Sequence, residues 1–185
     1  MINRINRNKN IFVYASIAAL IILSIAVRFF TDIPNFAPFG ALALFAGAYI
    51  TNRSFAVFLP LTGLFISDTI MEISKPGTGF YPDMVFNYAA YALTVALGFL
   101  LRSSRTPVKV FGLSVIGTAL FFVVSNFGVW AITNMYPHNF AGLVLCYSAG
   151  LEFIRNTFLS DLAFNLVLFG SMYLVTERSK STVTA

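Results

Sequence analysis

The sequence predicts an all-α integral membrane protein, a single bundle of six transmembrane helices over residues 1–185. Three observations carry this. Only 10% of the 185 residues are charged and 58% are hydrophobic, with a mean hydropathy of +0.80, whereas soluble domains carry about 25% charged residues. Several apolar stretches reach the roughly 20 residues needed to cross a hydrocarbon core of about 30 Å. The 12 basic residues stand at the ends of those stretches rather than in one patch, which reports membrane orientation and speaks against a nucleic-acid partner. The length leaves no room for a separate soluble domain. A single Cys excludes an intramolecular disulfide.

Each element has its own signal. The basic start MINRINRNKN leads into an apolar run too long for a signal core, with no small-x-small cleavage site before Arg28, so a retained first span is expected over 11–30. A Pro-containing loop at 31–38 follows, then a short apolar piece at 39–50, about 18 Å of helix. Polar residues at 51–54 break the pattern, and Ser54 is a candidate cap for the third span, 54–73. SKPGTGFYP (74–82) reads as a loop by its Pro and Gly punctuation, and the fourth span covers 83–101. After the basic linker 102–109, Pro107 suits the first position of the fifth span, 107–134. The turn around Pro137 and a short piece at 140–150 lead to the last span, 151–176.

Charge placement decides whether the short second piece crosses. Six crossings with the N-terminus inside put Arg4, Arg7, Lys9, Arg53, Arg102, Arg105, Lys109, Arg178 and Lys180 on the inner side, nine of the 12 basic residues. A re-entrant second piece keeps only Arg4, Arg7, Lys9, Lys75 and Arg155 there. The first arrangement obeys the positive-inside rule, with both termini cytoplasmic. The short helix must then be shielded by its neighbours or sit where the bilayer thins.

In that topology Asp32, Asp68, Glu72, Asp83 and Glu152 fall toward the outer side, as do Arg28 and Arg155, while Asp161 lies near the midplane. The run 126–165 gathers polar and aromatic residues within an otherwise apolar sequence and holds its only Trp, His and Cys. Aromatics at that level suit both an interfacial belt and a pocket wall. Asp68 and Glu72 share a helix face at i, i+4; they read equally as solvated acids and as ligand contacts. Glu152 and Arg155 at i, i+3 read as a structural ion pair or as site groups. Asp161 with Asn165 is a hydrogen-bond hub or part of a transport path, since ionisable groups at such depth face the bundle interior. His138 reads as a turn residue and Cys146 as a small apolar one.

No enzyme signature is present: no Gly-rich phosphate loop, no HExxH, no CxxC pair, and no acid at a defined spacing from the lone His and Cys. No cofactor, metal site or catalytic residue is expected. Ala15 and Ala19 in the first span, and Gly40, Ala43 and Gly47 in the second, form small-residue faces that let helices approach closely, within the bundle or against a partner.

The blocks PNFAPFGALALFAGAYI (34–50), FLPLTGLFISD (58–68), NFGVW (126–130) and CYSAGLEFIRNTFLSDL (146–162) resemble those of a family of uncharacterised bacterial inner-membrane proteins. That family in turn resembles the substrate-binding S components of energy-coupling factor (ECF) vitamin transporters. This resemblance implies an S-component-like bundle that captures a vitamin at its outer face and works with a coupling subunit and two ATPases. It implies a pocket built from 32–36, 80–83 and 130–155, with Ala15 and Ala19 packing on the coupling subunit. One S-component-like group handles cobalamin through a Cys ligand, and Cys146 sits in no motif that aligns with it.

The expectation is therefore a membrane-embedded binding and uptake protein for a vitamin-sized molecule in a bacterial inner membrane. Its expected pocket residues are Asp68, Glu72, Asn126, Trp130, Tyr147, Glu152, Arg155 and Asn156. Two other classes stay open: a structural or assembly protein without transport, and a proton-coupled carrier centred on Asp161.

Overall fold

A computed structural model describes the backbone at 2–31 and 33–184 and side chains at 10–31 and 33–176. Asp32 lies outside the described residues, as do the side chains of Arg4, Arg7, Lys9, Glu177, Arg178 and Lys180. Among the described residues there are six α-helices and no strand: α1 (Ile2–Phe30), α2 (Phe39–Tyr49), α3 (Arg53–Ser74), α4 (Met84–Phe99), α5 (Pro107–Ile132) and α6 (Phe140–Thr184). Four of them contain segments long and apolar enough to cross a membrane: Asn10–Phe30, Arg53–Ser74, Pro107–Ile132 and Phe140–Thr176. The chain is a helical membrane bundle. Its surface carries many exposed large apolar side chains, such as Ile22, Phe58, Val108 and Leu166, as a lipid-facing surface requires.

The two shorter apolar helices are α2 and α4. At 11 residues α2 is about 16 Å long, half the hydrocarbon thickness, and it packs against all five other helices. Residues Ala41 to Ala48 are buried without a break, so α2 has no polar face. It is the axis of the bundle. Close approach to α4 is achieved by paired glycines: a Cβ at Gly47 would come within 2.9 Å of Gly98 Cα, and the converse holds equally.

A buried helix leaves its terminal N–H and C=O groups without water, so they need protein partners. At the C-terminal end of α2, Arg102 donates from Nε to the Gly47 carbonyl at 3.0 Å and from NH2 to the Ile50 carbonyl at 2.6 Å. Arg105 NH2 donates to the Ala48 carbonyl at 2.7 Å. Both guanidinium groups stack on rings, Arg102 on Phe99 and Arg105 on Tyr49. At the N-terminal end no local side chain caps the helix. Instead the Asp161 carboxylate of α6 lies at the backbone of Gly40 and Ala41, where the first N–H groups have no intrahelical acceptor. Its Oδ2 accepts from Thr118 Oγ1 at 2.8 Å, while Oδ1 makes no hydrogen bond of standard geometry. A Cβ at Gly40 would occupy the carboxylate's place. One turn along α6, Asn165 Nδ2 donates to Ser114 Oγ at 2.9 Å.

Two local details differ from the sequence reading. Asn52, not Ser54, caps α3, its Oδ1 accepting from Phe55 N at 2.9 Å; the helix therefore starts at Arg53. The segment 140–150 is not a separate piece but the start of a continuous α6. Gly150, the boundary between the expected short piece and the last span, sits inside that helix, and a Cβ there would meet the Asn126 amide.

Asp161→Leu, which leaves the first turn of α2 uncapped, is expected to lower stability by about 1–3 kcal/mol. Asp161→Asn, which keeps an acceptor, is expected to lose less. Thermal unfolding in detergent measures both. A leucine variant as stable as the natural protein would remove the capping role.

Candidate functional site

The helices alternate in direction, so the C-terminal ends of α1, α3 and α5 meet the N-terminal ends of α4 and α6 at one end of the bundle. Helix α2 starts much deeper. Its first residue Phe39 packs on Tyr91, two turns into α4, and Gly40 faces Asp161, about 30 Å along α6. Above this recessed start lies a cavity of about 570 Å³. Thr118, Phe121 and Thr157 line it deepest in the bundle, and Asn35, Tyr81, Asp83, Met135 and Tyr136 line it from the three connecting loops.

Its polar lining falls into two kinds. Some groups are already satisfied by protein. Arg28 NH1 donates to Asp68 Oδ1 at 2.6 Å and to Ser67 Oγ at 2.8 Å, and Tyr88 donates to Asp68 Oδ2 at 2.6 Å. Asp68 is only 1% exposed, so this network clamps α1, α3 and α4 together behind the cavity wall. Asn126 Nδ2 donates to the Phe122 carbonyl at 2.8 Å, and the Cys146 thiol donates to the Asn126 carbonyl at 3.3 Å. Other groups are left open. Asp83, 9% exposed, lines the cavity and accepts no hydrogen bond through its carboxylate. Asn87 Nδ2 donates to Tyr81 Oη at 2.6 Å while its Oδ1 is buried without a partner. Burial raises the Tyr81 phenol above its ordinary pKa, with the Asn87 hydrogen bond opposing, so Tyr81 stays a neutral hydroxyl.

The sequence-predicted residues distribute around this cavity unevenly. Asn126 lines it. Asp68 stands behind Arg28. Four others hold the rim. Glu72 accepts from the backbone N–H groups of Gly77, Gly79 and Phe80, each at 3.0 Å, and so folds the α3–α4 loop, in which Gly77 takes the left-handed φ of 85°. Trp130 Nε1 donates to the Pro137 carbonyl at 3.0 Å and its ring meets His138 edge-on. Asn156 Nδ2 donates to the Pro34 carbonyl at 3.0 Å, tying the α1–α2 loop to α6. Tyr147 donates to the Val123 carbonyl at 2.7 Å, joining α5 and α6. Glu152 and Arg155 are exposed on α6, and no ion pair joins them. Ala15 and Ala19 are exposed on α1, whose buried face is Val13, Ile17, Leu20 and Ser24.

Arg28, Asn87 and Ser125 line the cavity and were not among the expected pocket residues, and Asp83 was reached only as the end of the segment 80–83 that the resemblance implied. Asp83 was visible as the one acid at the start of the fourth span, and Arg28 as the one base ending the first. Among the described residues no three His, Cys, Asp or Glu side chains converge as metal ligands. A second, more apolar groove of about 790 Å³ lies between α5 and α6 near Arg105, at the opposite end of the bundle.

The chain belongs to a family of unknown function, DUF6580, whose profile matches residues 7–183. No curated protein and no solved structure is significantly similar to it. The likeness to S components therefore rests on size, the six spans and the first-span alanines alone.

Glu72→Ala is expected to release the loop it folds. Hydrogen exchange at the Gly77, Gly79 and Phe80 amides should quicken by roughly tenfold or more, as loss of a charge-assisted hydrogen bond implies, with the α2 amides unchanged. Equal protection in the variant would show that the loop holds itself.

Proposed function

We propose that this protein is a membrane-embedded binding and uptake protein that captures a small molecule in the cavity above α2. The observation that carries the reading is the cavity itself. Its volume of about 570 Å³ falls within the roughly 300–1,000 Å³ of small-molecule sites, and it is mostly apolar with a few convergent polar groups. Three separate connections form its rim, each pinned by a dedicated side chain: Asn156 to the first, Glu72 to the second and Trp130 to the third. A bundle whose only requirement was to hold together would gain by filling this space with side chains.

In this reading the cavity faces outward in a bacterial inner membrane. Arg53, Arg102, Arg105 and Lys109 lie at the opposite end, as the positive-inside rule asks of the cytoplasmic side. The sequence holds no phosphate-binding loop, so uphill uptake would need an ATPase-bearing coupling partner, with the exposed Ala15 and Ala19 face of α1 as its docking surface. Asp161 is structural rather than proton-carrying in this proposal, because its carboxylate serves the N-terminus of α2.

Mass spectrometry of small molecules that co-purify with the detergent-solubilised protein tests the reading. The natural protein from rich medium should carry a stoichiometric compound. Ser125→Trp, which fills the cavity, should lose it at least tenfold, while Glu152→Ala, on the exposed face of α6, should keep it. A folded natural protein that carries nothing, or a compound indifferent to Ser125→Trp, would sink the proposal in favour of a structural role.

A further inference from the structure

We propose that the ligand of this cavity is an organic cation, an ammonium- or amidinium-bearing molecule with an apolar body, and that Asp83 is its counter-charge. The inference rests on the binding function proposed above and adds the class of molecule bound.

Two charged side chains line the cavity among the described residues, Arg28 and Asp83. Arg28 is answered from within the protein, its guanidinium held by Asp68 at 2.6 Å. Nothing answers Asp83. The residue as a whole is nine-tenths buried, while its carboxylate, which makes no hydrogen bond or ion pair among the described residues, keeps its accessible surface on the cavity side. Its position at the N-terminus of α4 offers the usual use for an acid, capping the helix. The side chain does not do so: no cap hydrogen bond forms, and the carboxylate lines the cavity instead.

A second, independent deficit lies one turn along. Asn87, at i+4 from Asp83 and so on the same side of α4, also lines the cavity. Its donor is spent on Tyr81, and its buried Oδ1 has no partner. The α4 side of the cavity thus presents an unanswered carboxylate, with the unpaired Asn87 amide oxygen packed into the wall beside it. A ligand that answers the carboxylate must bring positive charge. Tyr81, Phe122, Tyr136 and Phe153 in the same lining supply ring faces of the kind that attract such cations. An anion would find Arg28 already paired and Asp83 repelling it.

Cys146 allows the charge preference to be read without knowing the ligand. It is the only cysteine of the chain and lies in the cavity wall, 1% exposed with its thiol on the Asn126 carbonyl; Ser125→Cys, half-buried in the same lining, serves as a second reporter. The purified full-length protein is treated with 2-aminoethyl methanethiosulfonate, a cation, and with 2-sulfonatoethyl methanethiosulfonate, an anion. Each rate is divided by that of the same reagent with a free small thiol. Any effect of Asp83 on formation of the thiolate cancels in the cation-to-anion ratio. The ratio should favour the cation by roughly tenfold and fall toward unity in Asp83→Asn. In the natural protein it should also shrink between about 10 mM and about 1 M salt, which keeps the test usable should the variant fold poorly.

A ratio at or below unity in the natural protein overturns the proposal. So does a preference that survives both Asp83→Asn and high salt, or exclusion of both charged reagents while uncharged methyl methanethiosulfonate reacts. Failure of even the uncharged reagent to modify both Cys146 and the Ser125→Cys thiol in the folded protein has a different meaning: the cavity does not admit small molecules, and the binding function itself falls.

Discussion

The architecture depends on one constraint: a helix of 11 residues stands on the axis of a membrane bundle with both ends away from water. In hydrocarbon the orphan backbone groups of such a helix have no solvent to turn to. The chain answers with polar side chains at each end. The Asp161 carboxyl group stands at the N-terminus of α2, and the Arg102 and Arg105 cations hold carbonyls at its C-terminus, where the helix dipole favours positive charge. These groups come from α6 and from the α4–α5 connection, so satisfying α2 also fixes how those elements dock. The glycine pair Gly47 and Gly98 then lets α4 close on α2 at backbone contact, and the Phe45, Tyr49 and Phe169 rings lock α6 to the other side.

The cavity is a consequence of the same short helix. Helices α4 and α6 begin at the end of the bundle, whereas α2 begins two turns lower beside Tyr91. The chain between α1 and α2 must therefore descend into the bundle, and a loop descending beside helices cannot fill the space that two more turns of helix would have filled. Asn35 supports the descent with a positive φ of 57°, a conformation that Asn tolerates better than other side-chain-bearing residues. What remains open is lined by the inner faces of α5 and α6. There Gly150 gives up its side chain so that the Asn126 amide can stand upright in the wall.

The fold was largely legible in the sequence because hydropathy and charge report directly on the solvent each segment meets. The six segments, the punctuation at 74–82 and Pro107 at the first position of α5 all follow from local signals. The shielding of the short second helix was foreseen as one of two ways to bury it; the residues that cap it were not. The boundary expected at 150–151 was misplaced: Gly150 lies within a packed helix, where it provides close contact rather than a turn. The site was less legible. Asp68, Glu72, Trp130, Tyr147 and Asn156 were chosen for their polarity, and polarity alone does not say whether a partner already exists. Arg28 reaches Asp68 across 40 positions and Asn156 reaches Pro34 across 122; no periodicity within one helix contains that information.

Partnership, rather than polarity, separates scaffold from site in this molecule. The Arg28–Asp68–Tyr88 clamp, the arginines on α2 and the Glu72 loop clasp are charged groups whose demands are met by the protein itself, so their burial needs no ligand to explain it. Asp161 is met in part: its Oδ2 accepts from Thr118 and it lies at the first turn of α2, while its Oδ1 is buried without a hydrogen bond. Ser160 Oγ and Asn165 Oδ1 are also buried without hydrogen bonds, but they are neutral, and neither lines the cavity above α2. Asp83 and Asn87 differ in both respects. Both residues line one side of the cavity above α2, and the Asp83 carboxylate has neither a hydrogen bond nor an ion pair among the described residues. Charged groups inside a folded protein are almost always paired, which is why the proposed ligand is assigned the positive charge that Asp83 lacks.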